Sequence, residues 1–215
     1  MRANPKVAIF DLDGTLTDSE EGIVASFRHS LSKFDLPADN GTIRHQIGPP
    51  LAEGFAALGV PEGQLSLAVE TYRAHFSRSG IFQNRLYDGV KEMLVTIKAS
   101  GMILAVATSK LTGFAERIVD HFEIGALFSV VAGASEDGVL LAKGEIVADA
   151  LRRLDHPDPT TVLMIGDRAQ DIQAAISHGL LPIGVTWGYG TEIELLQAGA
   201  PHLVATPLEL ARLVL

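Results

Sequence analysis

Short apolar runs separated by longer stretches of helical periodicity set the plan of this chain. The runs fall at 6–10 (KVAIF), 102–107 (MILAVA), 128–132 (FSVVA), 161–165 (TVLMI) and 182–186 (PIGVT), with a weaker one at 202–205. Most are continuously apolar, the mark of strands covered on both faces. Between them the apolar positions recur at helical spacing. Residues 89–99 follow Asp88, a candidate N-cap, place Val90, Met93, Leu94 and Ile97 on one face, and stop at Gly101. Residues 168–178 place Ile172, Ala175 and Ile176 inward and stop at Gly179. Strand–helix alternation of this kind predicts an α/β fold with a parallel, doubly wound, Rossmann-like sheet.

Residues 18–80 break the rhythm, with three helical stretches and no strand between them. The first opens on a capping-box pattern, Asp18 with Glu21, and carries Ile23, Val24, Phe27, Leu31 and Phe34 before Pro37. Residues 51–58 form the second. Residues 64–77 form the third, with Leu65, Val69, Tyr72 and Phe76 on one face. The pattern predicts a core domain of residues 1–16 and 86–215, with an all-helical insertion over 17–85.

Composition narrows the class. With 215 residues, 47% hydrophobic and 20% charged, the chain reads as an ordered globular protein with one sizeable core and a smaller module. No apolar run approaches a membrane span, and the opening MRANPKVAIF is too short in apolar residues for a signal peptide. The absence of cysteine removes thiolate and disulfide chemistry and fits a cytoplasmic location. A formal charge of −9 argues against binding nucleic acid polymers. It also requires local cations wherever an anionic substrate is to bind.

Chemistry gathers where the strands stop. The first run ends in Asp11 and Asp13, which project to one side while Leu12 faces inward. Two acids side by side repel by several kcal/mol at an effective dielectric of about 20, and a hard divalent cation such as Mg2+ relieves this. The run 102–107 leads into Thr108, Ser109 and Lys110; the run 161–165 leads into Gly166, Asp167 and, four residues on, Asp171. Lys143 opens a further helix. Each has a bland alternative: a strand-end turn for the acid pair, a helix cap for Thr108, a solvated lysine, helix N-terminal acids for Asp167 and Asp171. In open α/β sheets, however, ligands bind beyond the carboxyl ends of the strands, where all of these residues arrive.

The segments DLDGTLTDS, Thr108, Lys143 and GDRAQD resemble the four motifs of the haloacid dehalogenase (HAD) superfamily of phosphohydrolases. The helical insertion resembles the C1-type cap of that family. IGPPL (47–51), YRAHFSRSGIF (72–82) and WGYGTEIELLQAGAPHLV (187–204) further resemble its bacterial phosphoglycolate phosphatase-like and 5′-nucleotidase-like branch. The resemblance implies Asp11 as nucleophile, forming an aspartyl-phosphate, and Asp13 as general acid and base. It implies Mg2+ held by the Asp11 carboxylate, the Asp13 main-chain carbonyl and Asp167, with Asp171 orienting that shell or Lys143. Thr108 and the Ser109 N–H would hold phosphoryl oxygens while Lys143 neutralises charge. Gly14 permits the sharp turn after the acids, Thr15 bonds locally, and Lys110 joins the substrate contacts.

Other readings fit less well. A dehalogenase proper would lack the second acid, Asp13. An EF-hand fails because Leu16 and Gly22 stand where glycine and glutamate are required. No Walker-type loop is present, and GYGTEI is an incomplete glycine pattern. A sugar phosphomutase on the same core stays open, and a non-catalytic phosphate-binding module would not need every chemical group retained. The insertion offers Arg44, His45, Pro49, Pro50 and Arg73 as substrate contacts, with Phe55 and Phe82 as candidates for stacking on a base. Phosphoglycolate phosphatases typically carry Lys-Pro where this chain has Lys143-Gly144. The expected partner is therefore a small phosphorylated metabolite, with nucleoside 5′-monophosphates ahead of phosphoglycolate, acted on by a monomer or weak homodimer.

Overall fold

Residues 5–37, 39–136, 140 and 142–215 are described by the computed structural model. Along the chain come β1 (Val7–Phe10), β2 (Thr17–Asp18), α1 (Glu20–Leu31), α2 (Asn40–Arg44), α3 (Leu51–Ala57), α4 (Leu65–Arg78) and β3 (Arg85–Leu86). Then follow α5 (Val90–Ala99), β4 (Ile103–Leu111), α6 (Thr112–His121), β5 (Phe128–Ala134), α7 (Lys143–Arg153) and β6 (Val162–Gly166). The last elements are α8 (Ala169–Ser177), β7 (Leu181–Val185), α9 (Glu192–Gln197), β8 (Leu203–Val204) and α10 (Pro207–Val214). Two units divide the chain: Met1–Thr17 with Leu86–Leu215, and Asp18–Arg85. The expected insertion began one residue earlier, at 17.

The first unit is built on a six-stranded sheet in the order β5-β4-β1-β6-β7-β8. Every pairing in it is parallel. Its β1 is central and wholly buried, which explains why its sequence is continuously apolar rather than alternating. On one face Ile9, Ala105, Val130 and Met164 pack with Ile146, Val147 and Ala150 of α7. The register aligns Phe10 with Val106 of β4 and with Ile165 of β6. Asp11 and Asp167 consequently leave the sheet along the same edge, where β4 carries Thr108.

The second unit packs α1, α3 and α4 around an aromatic cluster. Phe27 lies 4.7 Å from Phe55 and 5.0 Å from Tyr72, centroid to centroid, and Tyr72 stacks on Phe76 at 5.8 Å. Phe55 is fully buried there and is a core residue, not a stacking surface. The expected helix count was short by one: Asp39 caps Thr42 N–H and starts α2, a five-residue helix too brief to show a hydrophobic period.

Several local expectations are corrected. The first insertion helix ends at Leu31; Phe34 sits in a following 3-10 turn, and Asp35 adopts a left-handed conformation. Ser19, not Asp18, occupies its N-cap. Asp18 Oδ1 accepts from Glu20 N–H at 3.4 Å, and its Oδ2 pairs with Arg85, whose Nε and Nη2 donate at 3.1 and 2.7 Å. Gly89, at φ 83°, replaces Asp88 as the cap of α5. Ile176 is 51% exposed, because Asp171, Ala174 and Ala175 define the inward arc of α8 and turn it out. Strand β4 continues through Thr108 to Leu111, its register with β5 slipping between these two residues. Thr108 is therefore a strand residue and does not cap α6, whose N-cap is Leu111.

Candidate active site

The site begins with the turn after β1. Asp11 N–H donates to Ile165 O at 2.9 Å, carrying the ladder one residue past the strand. The chain then folds back: Leu16 and Thr17 N–H both donate to Leu12 O, and Gly14 N–H donates to Thr17 O at 2.8 Å. Leu12 is buried, as expected. Gly14 has φ 88°, and a β-carbon on it would collide with the Asp167 carboxylate. Glycine is needed there for both reasons.

Lys143, the first residue of α7, reaches in from the neighbouring crossover. Its Nζ lies 2.7 Å from Asp11 Oδ1 and 2.7 Å from Asp171 Oδ1. Burial disfavours the ammonium charge, but Asp11 and Asp171 outweigh it and hold the lysine well above its ordinary pKa. A buried ion pair of this kind tolerates the loss of neither partner. Asp171, on the first turn of α8, also accepts from Arg168 N–H at 3.0 Å, so it serves both the helix start and the lysine.

Asp11, Asp167 and Asp171 form a buried cluster, each offering a carboxylate oxygen within 4.8 Å of the others. Burial pushes Asp167 up to about 8, helped by the charges of Asp11 and Asp171, against hydrogen bonds from Tyr189 and Thr15. Burial likewise raises Asp11 to about 6, with Lys143 opposing and Asp171 and Asp13 adding to the rise. One ammonium among three buried acids leaves the cluster short of positive charge. An oxygen-only donor set with that deficit fits a hard divalent cation.

The other expected residues divide into two groups. Thr108 is buried at the site edge of the sheet, its Oγ1 accepting from Lys110 N–H at 3.3 Å, and Ser109 is half-buried beside it. Lys110 Nζ lies 2.9 Å from Asp13 Oδ2, so the second acid is balanced by a lysine of the chain itself. Thr15 Oγ1 donates to Asp167 Oδ1 at 3.1 Å, a partner 152 residues away rather than a local one. Arg44 and Pro49 belong to the helical unit. There Arg44 pairs with Glu20 at 3.2 Å, and Pro49 is half-buried ahead of Pro50, the N-cap of α3. That unit also carries an open groove of about 820 Å³ whose lining includes Asp18, Glu20, Arg28, Asn40, Phe82 and Arg85. Phe82, one of the two expected stacking candidates, is 53% exposed in it.

The sequence reading missed the segment after β7. Tyr189 N–H donates to Asp167 Oδ2 at 2.8 Å and Gly190 N–H to the same oxygen at 3.4 Å. Trp187 Nε1 donates to Thr15 O at 3.0 Å. Two glycines just beyond a strand that neighbours the Asp167 strand were the available signal, since such spacing marks close backbone approach.

Among known proteins, the tyrosine-protein kinase PtkA of Mycobacterium tuberculosis is 44% identical over 188 residues, covering 87% of this chain. The chain spans only 64% of that relative's length. A 5′-nucleotidase of Pseudomonas aeruginosa is 37% identical, covering 92% of this chain and 90% of its own. The crystal structure of a predicted phosphatase from Clostridium acetobutylicum superposes with a TM-score of 0.94 at 38% identity, covering 99% of both chains. The model of the haloacid dehalogenase-like hydrolase family matches residues 8–185, most of the parallel sheet and every carboxylate of the cluster, and the chain belongs to that family.

Proposed function

We propose that the protein is a Mg2+-dependent phosphomonoester hydrolase working through an aspartyl-phosphate on Asp11. The observation that carries the reading is the position of Asp11: buried at a strand end, bonded to Lys143 at 2.7 Å and clustered with Asp167 and Asp171. The Asp11 carboxylate, the Asp13 main-chain carbonyl and Asp167 would hold the Mg2+, with Asp171 committed to Lys143. When bound, the cation supplies charge stabilisation for the phosphoryl oxygens.

The residues divide the work in two steps. An Asp11 carboxylate oxygen attacks phosphorus, the phosphorus–ester oxygen bond breaks, and Asp13 gives its proton to the departing alkoxide. Water then attacks the phosphorus of the acyl phosphate while Asp13 takes its proton. The bond from phosphorus to Asp11 breaks, releasing inorganic phosphate and restoring the carboxylate. Throughout, Lys143 balances the charge of Asp11 and the phosphoryl group, and Thr108 with the Ser109 N–H positions the phosphoryl oxygens. Phosphoryl transfer asks chiefly for this kind of placement and charge compensation.

For substrate, a nucleoside 5′-monophosphate is placed ahead of phosphoglycolate. Gly144 follows the lysine where phosphoglycolate phosphatases carry proline, and the Pseudomonas relative covering nearly the whole chain is named for nucleotide hydrolysis. No helix among the described residues is long and apolar enough to cross a membrane. The test is release of phosphate from p-nitrophenyl phosphate, nucleotides, phosphoglycolate and sugar phosphates, with and without Mg2+. Metal-dependent turnover lost in Asp11→Asn is the expected result; full activity of that variant, or none in the wild type on any ester, overturns the reading. The kinase name of the mycobacterial relative raises a second acceptor, a tyrosine hydroxyl instead of water. Phosphotyrosine formed from labelled ATP, abolished in Asp11→Asn, would favour that alternative.

A further inference from the structure

The segment Trp187–Gly190 takes no part in the two steps above, yet its backbone is built against Asp167. Resting on the metal reading of the site, we propose that this segment, anchored by Glu194, is the positioning element that sets the Asp167 carboxylate for divalent-cation binding.

A carboxylate at the end of a strand has two side-chain torsions to fix before it can act as a ligand. Here Oδ2 is held by the N–H groups of Tyr189 and Gly190, and Oδ1 by the hydroxyl of Thr15. For main-chain N–H groups to reach Asp167, the segment must lie against it at backbone contact. That requirement explains its two glycines. A β-carbon at Gly188 would collide with Gly14 O, and one at Gly190 with Asp167 O. The glycine pattern that fails as a nucleotide-binding loop thus has a different purpose.

The segment is itself tied at both ends. At the front, the Trp187 indole donates to Thr15 O, on the same residue whose hydroxyl bonds Asp167. At the back, Glu194 Oε1 accepts from Arg168 Nε and from Ala169 N–H, both at 2.9 Å. Arg168 and Ala169 directly follow Asp167, so Glu194 joins the far end of the segment to the residues flanking the metal ligand. Thr191 completes the fastening by capping α9 through Glu194 N–H at 3.1 Å. Groups that orient a ligand from behind change metal affinity by about 10- to 100-fold when removed.

The experiment measures Mn2+ binding to the purified protein by electron paramagnetic resonance, with no substrate present, for the wild type, Glu194→Ala, Glu194→Gln, Trp187→Phe and the exposed control Glu192→Ala. Circular dichroism checks that each variant folds. Glu194→Ala and Trp187→Phe are expected to raise the Mn2+ Kd by about tenfold or more. Glu194→Gln keeps an oxygen acceptor for Ala169 N–H and is expected to stay within about threefold, and Glu192→Ala within twofold. Folded Glu194→Ala and Trp187→Phe proteins that bind Mn2+ like the wild type overturn the proposal. So does a Glu194→Gln loss as large as that of alanine, which would make the effect one of charge alone. Should Glu194→Ala fail to fold, Trp187→Phe and Glu194→Gln decide. A wild type that binds no Mn2+ overturns the metal reading and this inference together, an outcome distinct from equal binding by all variants.

Discussion

Lys110 Nζ lies 2.9 Å from Asp13 Oδ2, and the two side chains are only 7% and 14% exposed. The acid proposed to protonate the leaving group is therefore not a loose carboxylate but one restrained by a lysine from the neighbouring strand. The bulge in β4 between Thr108 and Leu111 brings that lysine to the site edge. Lys110→Met removes the restraint and is expected to lower kcat by about 10- to 100-fold on alkyl phosphates, within the range that general acid–base groups contribute. p-Nitrophenyl phosphate, whose phenolate departs without a proton, should lose far less. The check is the dependence of kcat/KM on leaving-group pKa across a series of esters. Equal losses on all of them would assign Lys110 a structural role.

Lys143 faces two carboxylates at 2.7 Å and a third within the same cluster. Lys143→Met leaves buried acids uncompensated, and breaking a buried pair from one side costs about 3–5 kcal/mol. Thermal unfolding in the absence of divalent ions is expected to shift down by about 10 °C, at about 2–4 °C per kcal/mol for a chain of this size. Millimolar Mg2+ should raise the midpoint more in the variant than in the wild type, because it supplies the positive charge the methionine lacks. A variant with wild-type stability in metal-free buffer would show that Lys143 does not compensate the charge of the cluster.

What the sequence made legible follows from where the information sits. Asp11, Asp13, Asp167 and Lys143 stand at the ends of apolar runs or the start of a helix, and a parallel sheet carries such positions to one edge. The pairing of Lys110 with Asp13 depends on a register slip in β4 that no periodicity encodes. The approach of Tyr189 and Gly190 to Asp167 is made by backbone N–H groups, so the side-chain types around it say little. Asp18 reads as a helix cap from its neighbours, yet its ion-pair partner, Arg85, is 67 residues away. Ile176 reads as buried by spacing alone, and is turned outward because Asp171 must face the lysine.

The raised pKa of Asp167 makes a signed prediction about pH. Its folded value of about 8 lies above the ordinary value of 3.8, so between these limits the folded protein holds a proton that the unfolded chain has released. Stability from this group is complete below the ordinary value and is lost as pH rises through about 8. Asp11, raised to about 6, acts in the same direction over a narrower window. Metal-free wild-type protein should thus lose stability relative to Asp167→Asn as pH is raised from 5 to about 8.5, and the difference should level off above that. Urea unfolding of both proteins across this range measures it. A wild-type-minus-variant difference that grows with pH would reverse the sign and place the carboxylate in a stabilising field.

Phe55 and Phe82 were equivalent as candidates for contacting a base, and the structure separates them. Phe55 is enclosed by Phe27 and Tyr72, so Phe55→Ala removes a ring from the centre of the helical unit. Large-to-small changes of that kind cost about 3–5 kcal/mol, a large share of what a small unit possesses. Loss of helical circular dichroism and of all activity is expected, without selectivity among substrates. Phe82 is 53% exposed at the groove, and Phe82→Ala should change stability by no more than about 0.5 kcal/mol. If the base of a nucleotide stacks on it, KM for nucleoside monophosphates should rise at least about fivefold, from the ~1–3 kcal/mol of an aromatic–base stack. KM for p-nitrophenyl phosphate, which carries no nucleobase, should stay within twofold. Parallel changes for both substrates, or none for either, would remove Phe82 from base recognition and weaken the case for nucleotides over phosphoglycolate.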